Sequence, residues 1–423
     1  MTKGRTMNVF ESLESEVRSY CRGWPTTFTT ATGSRLYDEH GRDYLDFFAG
    51  AGTLNYGHNH PLLKQALIDY LTSDGVTHSL DMHTAAKREL LETFQERILR
   101  PRGLDYKLQF PGPTGANSVE CALKLARKVT GRETVLSFTN AFHGMSLGAL
   151  AVTGNSMKRR GAGVPLQHSM PIPYDDYLDG QTPDFVWLKA LLEDSGSGLD
   201  TPAAVIVETV QGEGGVNVAR FEWLRGLAEV CKKYDMLLIV DDVQMGVGRT
   251  GPFFSFEGAG IVPDIVCMSK ALSGYGLPFA LTMFRSDLDV WEPGEHNGTF
   301  RGHNPAFVTA TTALNHFWSD DALTREVEAK GQRISAALDE IAAEHPEIDP
   351  TIRGRGMVWG LTSDDPGLAG KVCAAAYDRG LLVETSGPLG EVAKVLPPLT
   401  ATDDELDAGM AILADSLRAA RAA

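Results

Sequence analysis

The sequence predicts an α/β protein with a mainly parallel sheet, followed by a smaller α+β domain. Short runs rich in Val, Ile and Leu alternate with amphipathic helical patterns through the middle of the 423-residue chain. Strands that are apolar on both faces and separated by helices are typical of a parallel sheet covered on both sides. Near the C-terminal end the pattern changes to long helices flanking short strands, and this change predicts the second domain.

Four apolar runs are the best candidates for strands of the sheet. Each is short, is rich in aliphatic residues and ends in polar or turn-forming residues, as expected of a buried strand. The runs are TVLSFTN (134–140), AAVIVET (203–209), MLLIVDD (236–242) and DIVCMS (264–269).

Helical spacing of apolar residues predicts four helices around these strands. Each segment has one apolar face that can cover a sheet or pack on another helix. The segments are NSVECALKLARKVTG (117–131), FEWLRGLAEVCKKY (221–234), LTREVEAKGQRISAALDEIAAE (323–344) and DDELDAGMAILADSLRAARAA (403–423).

Composition argues against several classes of function. The chain has 39 basic and 55 acidic residues, so its formal net charge of −16 disfavours nucleic acid or an anionic membrane as a partner. Its five cysteines are scattered without a CxxC pair, which is typical of a reduced intracellular protein. Because no apolar run is long enough to span a bilayer and the N-terminus lacks a signal-peptide pattern, we expect a soluble, cytoplasmic protein.

A lysine at the inner end of a strand is the first candidate for chemistry. In DIVCMSKALSGYG, an apolar run ends in Ser269, and Lys270 comes next. A buried ammonium loses hydration and needs a charged partner or a chemical role, unless its side chain reaches out to water. Ligands gather at the carboxyl ends of parallel strands, so a cluster of polar groups there would favour a ligand site. Such groups follow the predicted strands at Glu208, Gln211, Asp241 and Gln244.

Asp241 indicates which ligand this site takes. A carboxylate at the end of a buried strand needs a cationic partner, unless it only caps the following turn. The pyridinium nitrogen of pyridoxal phosphate is such a partner, and a lysine Schiff base with an aspartate on the ring nitrogen is the pattern that this cofactor imposes. We therefore predict pyridoxal 5'-phosphate as the cofactor, with Lys270 and Asp241 as catalytic residues.

The segment VDDVQMGVGRTG (240–251) also contains a GxGxxG pattern, which can mark a dinucleotide-binding turn. Its context differs from such a turn. Pro252 and two phenylalanines follow the third glycine, where a helix should begin, and the next strand leads to Lys270 rather than to an acidic residue. A dinucleotide site is therefore rejected.

A phosphate site is predicted before the helix at 117–131. Free N–H groups of Gly115 and Ala116, together with the positive end of the helix, would hold a phosphate dianion, although the same residues also form ordinary tight turns. After another strand, the ring of Phe142 can stack on a cofactor or simply belong to the core. Thr299, in a polar glycine-rich segment, could donate to a phosphate oxygen.

Six motifs occur in a characteristic order along the chain, namely NYGHNHP, AFHG, ETVQGEGG, VDDVQMGVGRTG, PDIVCMSKALSG and GTFRGHNP. Together they resemble the class III (ω-amino-acid) aminotransferases of pyridoxal phosphate fold type I. The resemblance implies an aspartate aminotransferase-like fold with a seven-stranded sheet in a large domain (61–315). It further implies a small C-terminal domain (316–423), an N-terminal segment (1–60) packed with it, and a homodimer or a larger assembly of dimers.

The resemblance also implies the role of each candidate residue. Lys270 would bind the cofactor as a Schiff base and shuttle the proton, and Asp241 would pair with the ring nitrogen. The remaining contacts would be Val243 and Phe142 on the ring faces, Gln244 on the ring hydroxyl, Gly115 and Ala116 on the phosphate, and Thr299 on the phosphate of the neighbouring subunit. His143 and Glu208 complete the predicted cofactor site. No metal site is predicted, since His58 and His60 belong to a turn that the family uses without metal.

Glu213 and Arg353 match a glutamate–arginine pair with which such enzymes admit two substrates. Glutamate reacts at its α-amine and needs a cation for its α-carboxylate, which a planar arginine can hold with two hydrogen bonds. A substrate that reacts at a terminal amine would leave that arginine unpaired, and Glu213 would then swing in to pair with it. The alternative for Arg353 is an ordinary surface ion pair.

Within the family, the N-terminal segment and two motifs are most similar to the branch that aminates L-aspartate 4-semialdehyde with L-glutamate. The products are L-2,4-diaminobutyrate and 2-oxoglutarate, in the first step of the biosynthesis of ectoine, an osmoprotectant. The chain departs from the commoner family pattern at Asp242, at Thr209 and in TGANS. The alternatives are another ω-aminotransferase (ornithine, acetylornithine, 4-aminobutyrate or lysine type), an aminomutase of the same fold, and a non-catalytic scaffold.

Overall fold

The computed structural model describes residues 8–178 and 185–422. Within these residues the strands, numbered along the chain, are β1 (Phe28–Thr32), β2 (Arg35–Asp38), β3 (Asp43–Asp46), β4 (Tyr106–Gln109), β5 (Val135–Phe138), β6 (Ser169–Ile172), β7 (Ala204–Val207), β8 (Val210–Gln211), β9 (Asn217–Val218), β10 (Leu237–Asp241), β11 (Ile265–Met268), β12 (Leu281–Arg285), β13 (Thr351–Arg355), β14 (Val358–Thr362), β15 (Leu381–Leu382), β16 (Glu384–Ser386) and β17 (Val392–Val395).

The helices of the same residues are α1 (Val9–Leu13), α2 (Tyr20–Gly23), α3 (Ala49–Gly52), α4 (Pro61–Thr72), α5 (Ala85–Phe94), α6 (Gly115–Thr130), α7 (Leu147–Ala151), α8 (Ser156–Arg159), α9 (Val186–Glu193), α10 (Phe221–Lys233), α11 (Asn304–Phe317), α12 (Ala322–Glu344), α13 (Leu368–Asp378) and α14 (Asp403–Ala422). In α3 the backbone of Gly50 and Ala51 is left-handed, so this segment is a tight turn rather than a regular helix. Among the residues described, no helix is both long and apolar enough to cross a bilayer.

The central sheet has seven strands in the order β4-β12-β11-β10-β7-β5-β6. Strands β11, β10, β7, β5 and β6 pair in parallel, whereas β12 is antiparallel to both of its neighbours. β4 therefore runs in the same direction as the parallel strands. The predicted mainly parallel, seven-stranded sheet is confirmed, and the four strands expected from sequence are β5, β7, β10 and β11.

Burial on both faces explains why the central strands are apolar throughout. In β7, Ala204 and Ile206 face one hydrophobic cluster, and Val205 and Val207 face the other. All four side chains are fully buried. Helix α6 supplies apolar residues to the first cluster and α10 to the second, so the two helices cover opposite faces of the sheet.

A smaller α+β unit follows the central sheet. Strands β13, β14, β17 and β16 form an antiparallel sheet, against which α12 and α13 pack, and α14 packs on both helices. Near the N-terminus, β3 pairs in parallel with β15, so the N-terminal segment is hydrogen-bonded to the C-terminal part of the chain. Helix α11 packs on α4 and α5 instead. The three-part division with boundaries at 60 and 315 stays a proposal, and its second boundary falls within α11.

The chain after β10 contains no helix over residues 242–256, where only turns and irregular structure occur. A dinucleotide-binding turn needs a helix that begins at its third glycine. The GxGxxG pattern here therefore lacks the structure that would bind a pyrophosphate, in agreement with the sequence analysis.

Candidate active site

A pocket of about 300 Å³ opens at the carboxyl ends of β7, β10 and β11. It lies at the edge of the sheet where parallel strands end, the usual position of a ligand in an α/β protein. Nine of the predicted cofactor residues line it, namely Gly115, Ala116, Phe142, His143, Glu208, Asp241, Val243, Gln244 and Lys270. Glu213 lines the same pocket, and the residues not foreseen there are Gly144, Met145 and Met245.

Lys270 lies at the wall of this pocket with its amine unpaired. Its backbone is left-handed, with φ 49°, a strained conformation that is uncommon outside glycine and is frequent at functional sites. Its side chain makes no hydrogen bond to any residue within 8–178 and 185–422. Burial lowers the pKa of Lys270, and the carboxylate of Glu213 only partly offsets this effect. A lowered pKa increases the share of neutral amine, which is the form that reacts with a carbonyl group.

Asp241 faces the pocket, and His143 is its side-chain partner there. Its Oδ2 lies 2.7 Å from Nδ1 of His143, and its Oδ1 accepts from the backbone N–H of Val243 at 3.1 Å. Within the described part of the chain, no lysine or arginine nitrogen lies within 4.0 Å of this carboxylate. A buried carboxylate with so little compensation fits a cationic ring nitrogen bound next to it.

Glu208 holds the loop that carries the aromatic wall of the pocket. Its Oε2 accepts from the backbone N–H of Phe142 at 3.0 Å. Burial, together with the nearby charge of Asp241, raises the pKa of Glu208 well above its usual value. Nζ of Lys158 lies over the ring of Phe142, 4.1 Å from the ring centroid. The sequence did not indicate this cation–π contact.

The start of α6 has the geometry of an anion site. Thr114 caps the helix, and its side chain and that of Asn117 form a reciprocal capping box. This pairing gives a structural reason for the TGANS departure. At Gly115 a Cβ atom would lie 2.8 Å from Cγ1 of Val243, so only glycine fits there. The first-turn N–H groups of Gly115 and Ala116 have no partner within the helix and are suited to a phosphate.

Gln244 closes one side of the pocket by bonding to two loops. Its Nε2 donates to the backbone carbonyl of Ala51 at 2.9 Å and to Oε1 of Glu213 at 3.1 Å. Gly52, next to Ala51, has φ 85°, and a Cβ atom there would lie 3.3 Å from Cγ of Gln244. The small residues of α3 therefore allow the N-terminal segment to approach the pocket closely.

Thr299 does not line the pocket of its own chain. It lies in a turn whose backbone carbonyl accepts from Nε2 of His78, and the neighbouring Phe300 is 65% exposed. Within one chain the structure therefore does not bring Thr299 to Gly115 and Ala116.

The structure also does not pair Glu213 with Arg353, and this corrects the expectation from sequence. Nε of Arg353 donates to the carbonyl of Gly215 at 2.8 Å, and no described carboxylate lies within 4.0 Å of its guanidinium. Arg353 lines a different cavity together with Glu391. Glu213 lines the first pocket and its neighbour Gly214 lines the second, and motifs along the chain do not show which cavity a residue faces.

The cation that Glu213 contacts is Lys394 on β17. Nζ of Lys394, which is fully buried, lies 2.8 Å from Oε1 of Glu213 and 2.8 Å from Oε1 of Glu384. Burial lowers the pKa of Lys394, but the two carboxylates outweigh this effect and raise it. For the carboxyl of Glu213, burial by itself would raise the pKa. The charges of Lys394 and then Lys270 outweigh burial and bring the pKa of Glu213 well below its usual value. Lys394 had a signal in the sequence, since VAKV places a lysine inside an apolar strand.

Comparisons with known proteins show that this chain is similar to aminotransferases. Residues 21–417 match the family model described as Aminotransferase class-III. The diaminobutyrate–2-oxoglutarate transaminase of Nocardia farcinica is 67% identical over 97% of this chain and 94% of the relative. The transaminase of the same name from Halalkalibacterium halodurans is 57% identical over 98% of this chain and 96% of the relative.

A solved structure resembles this chain over nearly its whole length. The ornithine aminotransferase from Toxoplasma gondii ME49 has a TM-score of 0.84 and 27% sequence identity. The match covers 98% of this chain and 94% of that structure.

Proposed function

Because this chain belongs to the class III aminotransferase family, we propose that it transfers the amino group of L-glutamate to L-aspartate 4-semialdehyde. The products are L-2,4-diaminobutyrate and 2-oxoglutarate. The observation that carries this proposal is 67% identity, over 97% of the chain, to a diaminobutyrate–2-oxoglutarate transaminase. The pocket supports the same chemistry, because it joins an unpaired lysine and a buried aspartate at the sheet edge.

The cofactor of this reaction is pyridoxal 5'-phosphate. When bound, it supplies an aldehyde that exchanges amino groups and a ring that accepts electrons from the substrate carbon. A solved ornithine aminotransferase of Toxoplasma gondii, 28% identical to this chain, is described with partial occupancy of PLP at its active site. The unpaired amine of Lys270, the buried carboxylate of Asp241 and the free N–H groups of Gly115 and Ala116 supply the three contacts that such a group needs.

Each residue has a defined task in this proposal. Lys270 would hold the cofactor through Nζ, and its amine would accept and return the proton that the reaction moves. Asp241 would accept a hydrogen bond from the ring nitrogen, and His143, whose Nδ1 lies 2.7 Å from Oδ2 of Asp241, would orient that carboxylate. Phe142 and Val243 would enclose the ring and Gln244 would contact its hydroxyl group, while Glu208 holds the loop of Phe142.

A homodimer, or a larger assembly of dimers, completes the phosphate site in this proposal. Thr299 would reach the phosphate of the neighbouring subunit, because it lies away from the pocket of its own chain. Helix α4 supports a partner surface, since Leu62, Ile68 and Leu71 are each more than 40% exposed. Dimer formation would bury these side chains, which otherwise leave apolar area in water.

For the donor carboxylate, the geometry favours Lys394 over Arg353. Lys394 contacts Glu213, which lines the cofactor pocket, whereas Arg353 lines a separate cavity. The α-carboxylate of glutamate would take the place of Glu213 at Nζ of Lys394. With diaminobutyrate, which reacts at its terminal amine, Glu213 would stay on Lys394 and keep the buried cation paired.

We place the enzyme in the cytoplasm and its product in ectoine biosynthesis, where it would serve osmoprotection. The test is an amino-transfer assay with L-glutamate as donor and L-aspartate 4-semialdehyde as acceptor. The acceptors of the ornithine, acetylornithine, 4-aminobutyrate and lysine types are compared in parallel. A higher kcat/KM with any of these would replace the substrate assignment, and turnover without an external oxo acid or amino donor would indicate an aminomutase. Absence of visible absorbance in the purified protein would favour the non-catalytic scaffold.

A further inference from the structure

Two departures from the commoner family pattern, Thr209 and Asp242, are joined by a third residue. Oγ1 of Thr209 donates to Oγ of Ser255 at 2.6 Å, and Oγ of Ser255 in turn donates to Oδ1 of Asp242. The backbone N–H of Ser255 donates to the other carboxylate oxygen of Asp242 at 3.1 Å. All three residues are at least 98% buried, so water does not compete for these bonds.

This hydrogen-bonded chain lies directly beyond the end of a strand pair. The last residues that β7 and β10 align are Val207 and Val240. Glu208 and Asp241, which line the pocket, are the next residues of the two strands, and Thr209 and Asp242 come one position later. Ser255 therefore links the two strands beyond the point where their backbone hydrogen bonds end.

We propose that Thr209, Ser255 and Asp242 form a positioning unit. This unit sets the distance between Glu208 and Asp241 and thereby the position of the cofactor in the pocket. None of the three lines the pocket, so they act through the residues next to them. The proposal rests on the proposed function for the identity of the cofactor. It goes beyond that function because it assigns a task to residues that do not themselves contact the cofactor.

The direction of the hydrogen bonds depends on the charge of Asp242. Both hydroxyl groups point toward an ionised carboxylate, which accepts but does not donate. A protonated Asp242 would have to donate to Ser255, and the hydroxyl of Ser255 would then need another acceptor. The charged or titratable groups that act on this carboxyl are Asp241, Glu257 and the thiol of Cys267. Burial raises the pKa of Asp242 to about 7, so its protonation changes near neutral pH.

The central test compares two variants at one position. Thr209→Val keeps the shape of the side chain and removes the donor, whereas Thr209→Ser keeps the hydroxyl and loses a methyl group. In the holoenzyme we expect Thr209→Val to raise the dissociation constant of the cofactor and to lower kcat, each on the order of tenfold, because small misplacements of reacting groups are costly. KM for glutamate should change less than about twofold. Thr209→Ser should resemble the wild type.

A second variant tests the middle of the chain. Ser255→Ala should reproduce the effects of Thr209→Val and also shift the midpoint of any pH-dependent change in visible absorbance near neutral pH. The matched control is Ser416→Ala, which removes another fully buried hydroxyl, bonded to the carbonyl of Ile412 in α14. It should lower Tm without changing the cofactor constant, the spectrum or kcat.

Two results would overturn the proposal. One is that Thr209→Ser is as defective as Thr209→Val, since the methyl group and not the hydroxyl would then matter. The other is that Thr209→Val or Ser255→Ala lowers only Tm, as the control does. If Ser255→Ala does not fold, the comparison at Thr209 decides alone. Because cofactor affinity and the spectrum are measured without substrate, failure of the wild type to transfer amino groups would contradict the proposed function and leave this test in force.

Discussion

Nζ of Lys394 lies 2.8 Å from Oε1 of Glu213, at the wall of the pocket that Lys270 also lines. If a donor carboxylate replaces Glu213 there, Lys394→Gln should slow the half-reaction with L-glutamate. Loss of one buried, charge-assisted contact corresponds to about 2 kcal/mol, or on the order of 30-fold. Stopped-flow measurement of the holoenzyme should show a much smaller loss with diaminobutyrate.

Two further variants separate Lys394 from Arg353. Glu213→Gln should slow the diaminobutyrate half-reaction more than the glutamate one, because it leaves Lys394 without its mobile partner. Arg353→Gln should change both rates by less than about twofold, since its guanidinium lines another cavity. A selective loss with glutamate in Arg353→Gln would instead restore Arg353 as the residue that binds the donor carboxylate.

Lys270 is expected to be the site of covalent attachment. After borohydride reduction of the holoenzyme, peptide mapping should find the cofactor on Lys270, and Lys270→Ala should lose turnover while keeping its circular dichroism spectrum. Lys330→Ala is the control, because this buried lysine bonds to Glu326 and to the carbonyl of Leu399, and its loss should reduce stability only. A label on any other lysine would contradict the assignment.

Asp241 and His143 are expected to differ in the size of their effects. Asp241→Asn should lower kcat/KM for glutamate, because the amide cannot stabilise a cationic ring nitrogen. The loss should correspond to about 3 kcal/mol or more of transition-state stabilisation. His143→Gln should lower the same transition-state stabilisation by about 1 kcal/mol, the value of one hydrogen bond that orients Asp241. Steady-state kinetics and the visible spectrum of each holoenzyme measure the two effects. The reverse order would show that His143, rather than Asp241, carries the larger part of the stabilisation.

Asp242 should make stability depend on pH. Burial raises its pKa from 3.8 to about 7, so the folded protein binds this proton more tightly than the unfolded chain. The resulting stabilisation is complete below about pH 4 and is lost as the pH rises through 7, with a total on the order of 4 kcal/mol. Asp242→Asn mimics the protonated form and should lack this loss.

Urea unfolding between about pH 4 and pH 8 tests the dependence. The free energy of unfolding of Asp242→Asn should rise relative to that of the wild type as the pH increases. Asp200→Asn, which changes an exposed aspartate, should track the wild type at every pH. A constant difference between Asp242→Asn and the wild type would mean that Asp242 keeps one protonation state over the whole range.

Thr299 should act across a subunit interface. We expect the holoenzyme to sediment as a dimer or a multiple of dimers, and Thr299→Val to weaken cofactor binding by about 1 kcal/mol, the value of one hydrogen bond. Thr312→Val is the control, since this hydroxyl donates to the carbonyl of Val308 within α11 and to no other described residue. A fully active monomer in sedimentation at assay concentration would show that Thr299 does not reach a neighbouring site.

The local pattern of residues was sufficient to predict four of the seven strands of the sheet and the edge at which the pocket lies. The strands β5, β7, β10 and β11 are recognisable because a strand buried on both faces must be apolar at every position. Lys270, Asp241 and Glu208 lie at the carboxyl ends of three of these strands, and parallel strands bring these ends to one edge whatever the details of packing. Lys270 and Asp241 indicated the cofactor, and the motifs around them added the family.

Tertiary structure alone decided which side chains pair across the site. The motifs implied Arg353 as the partner of Glu213, whereas the folded chain pairs Glu213 with Lys394, 181 residues away. The link from Thr209 through Ser255 to Asp242 likewise joins three separate segments. Such pairs depend on how strands from different sheets and loops approach each other, and periodicity along the chain records only which face of an element is buried.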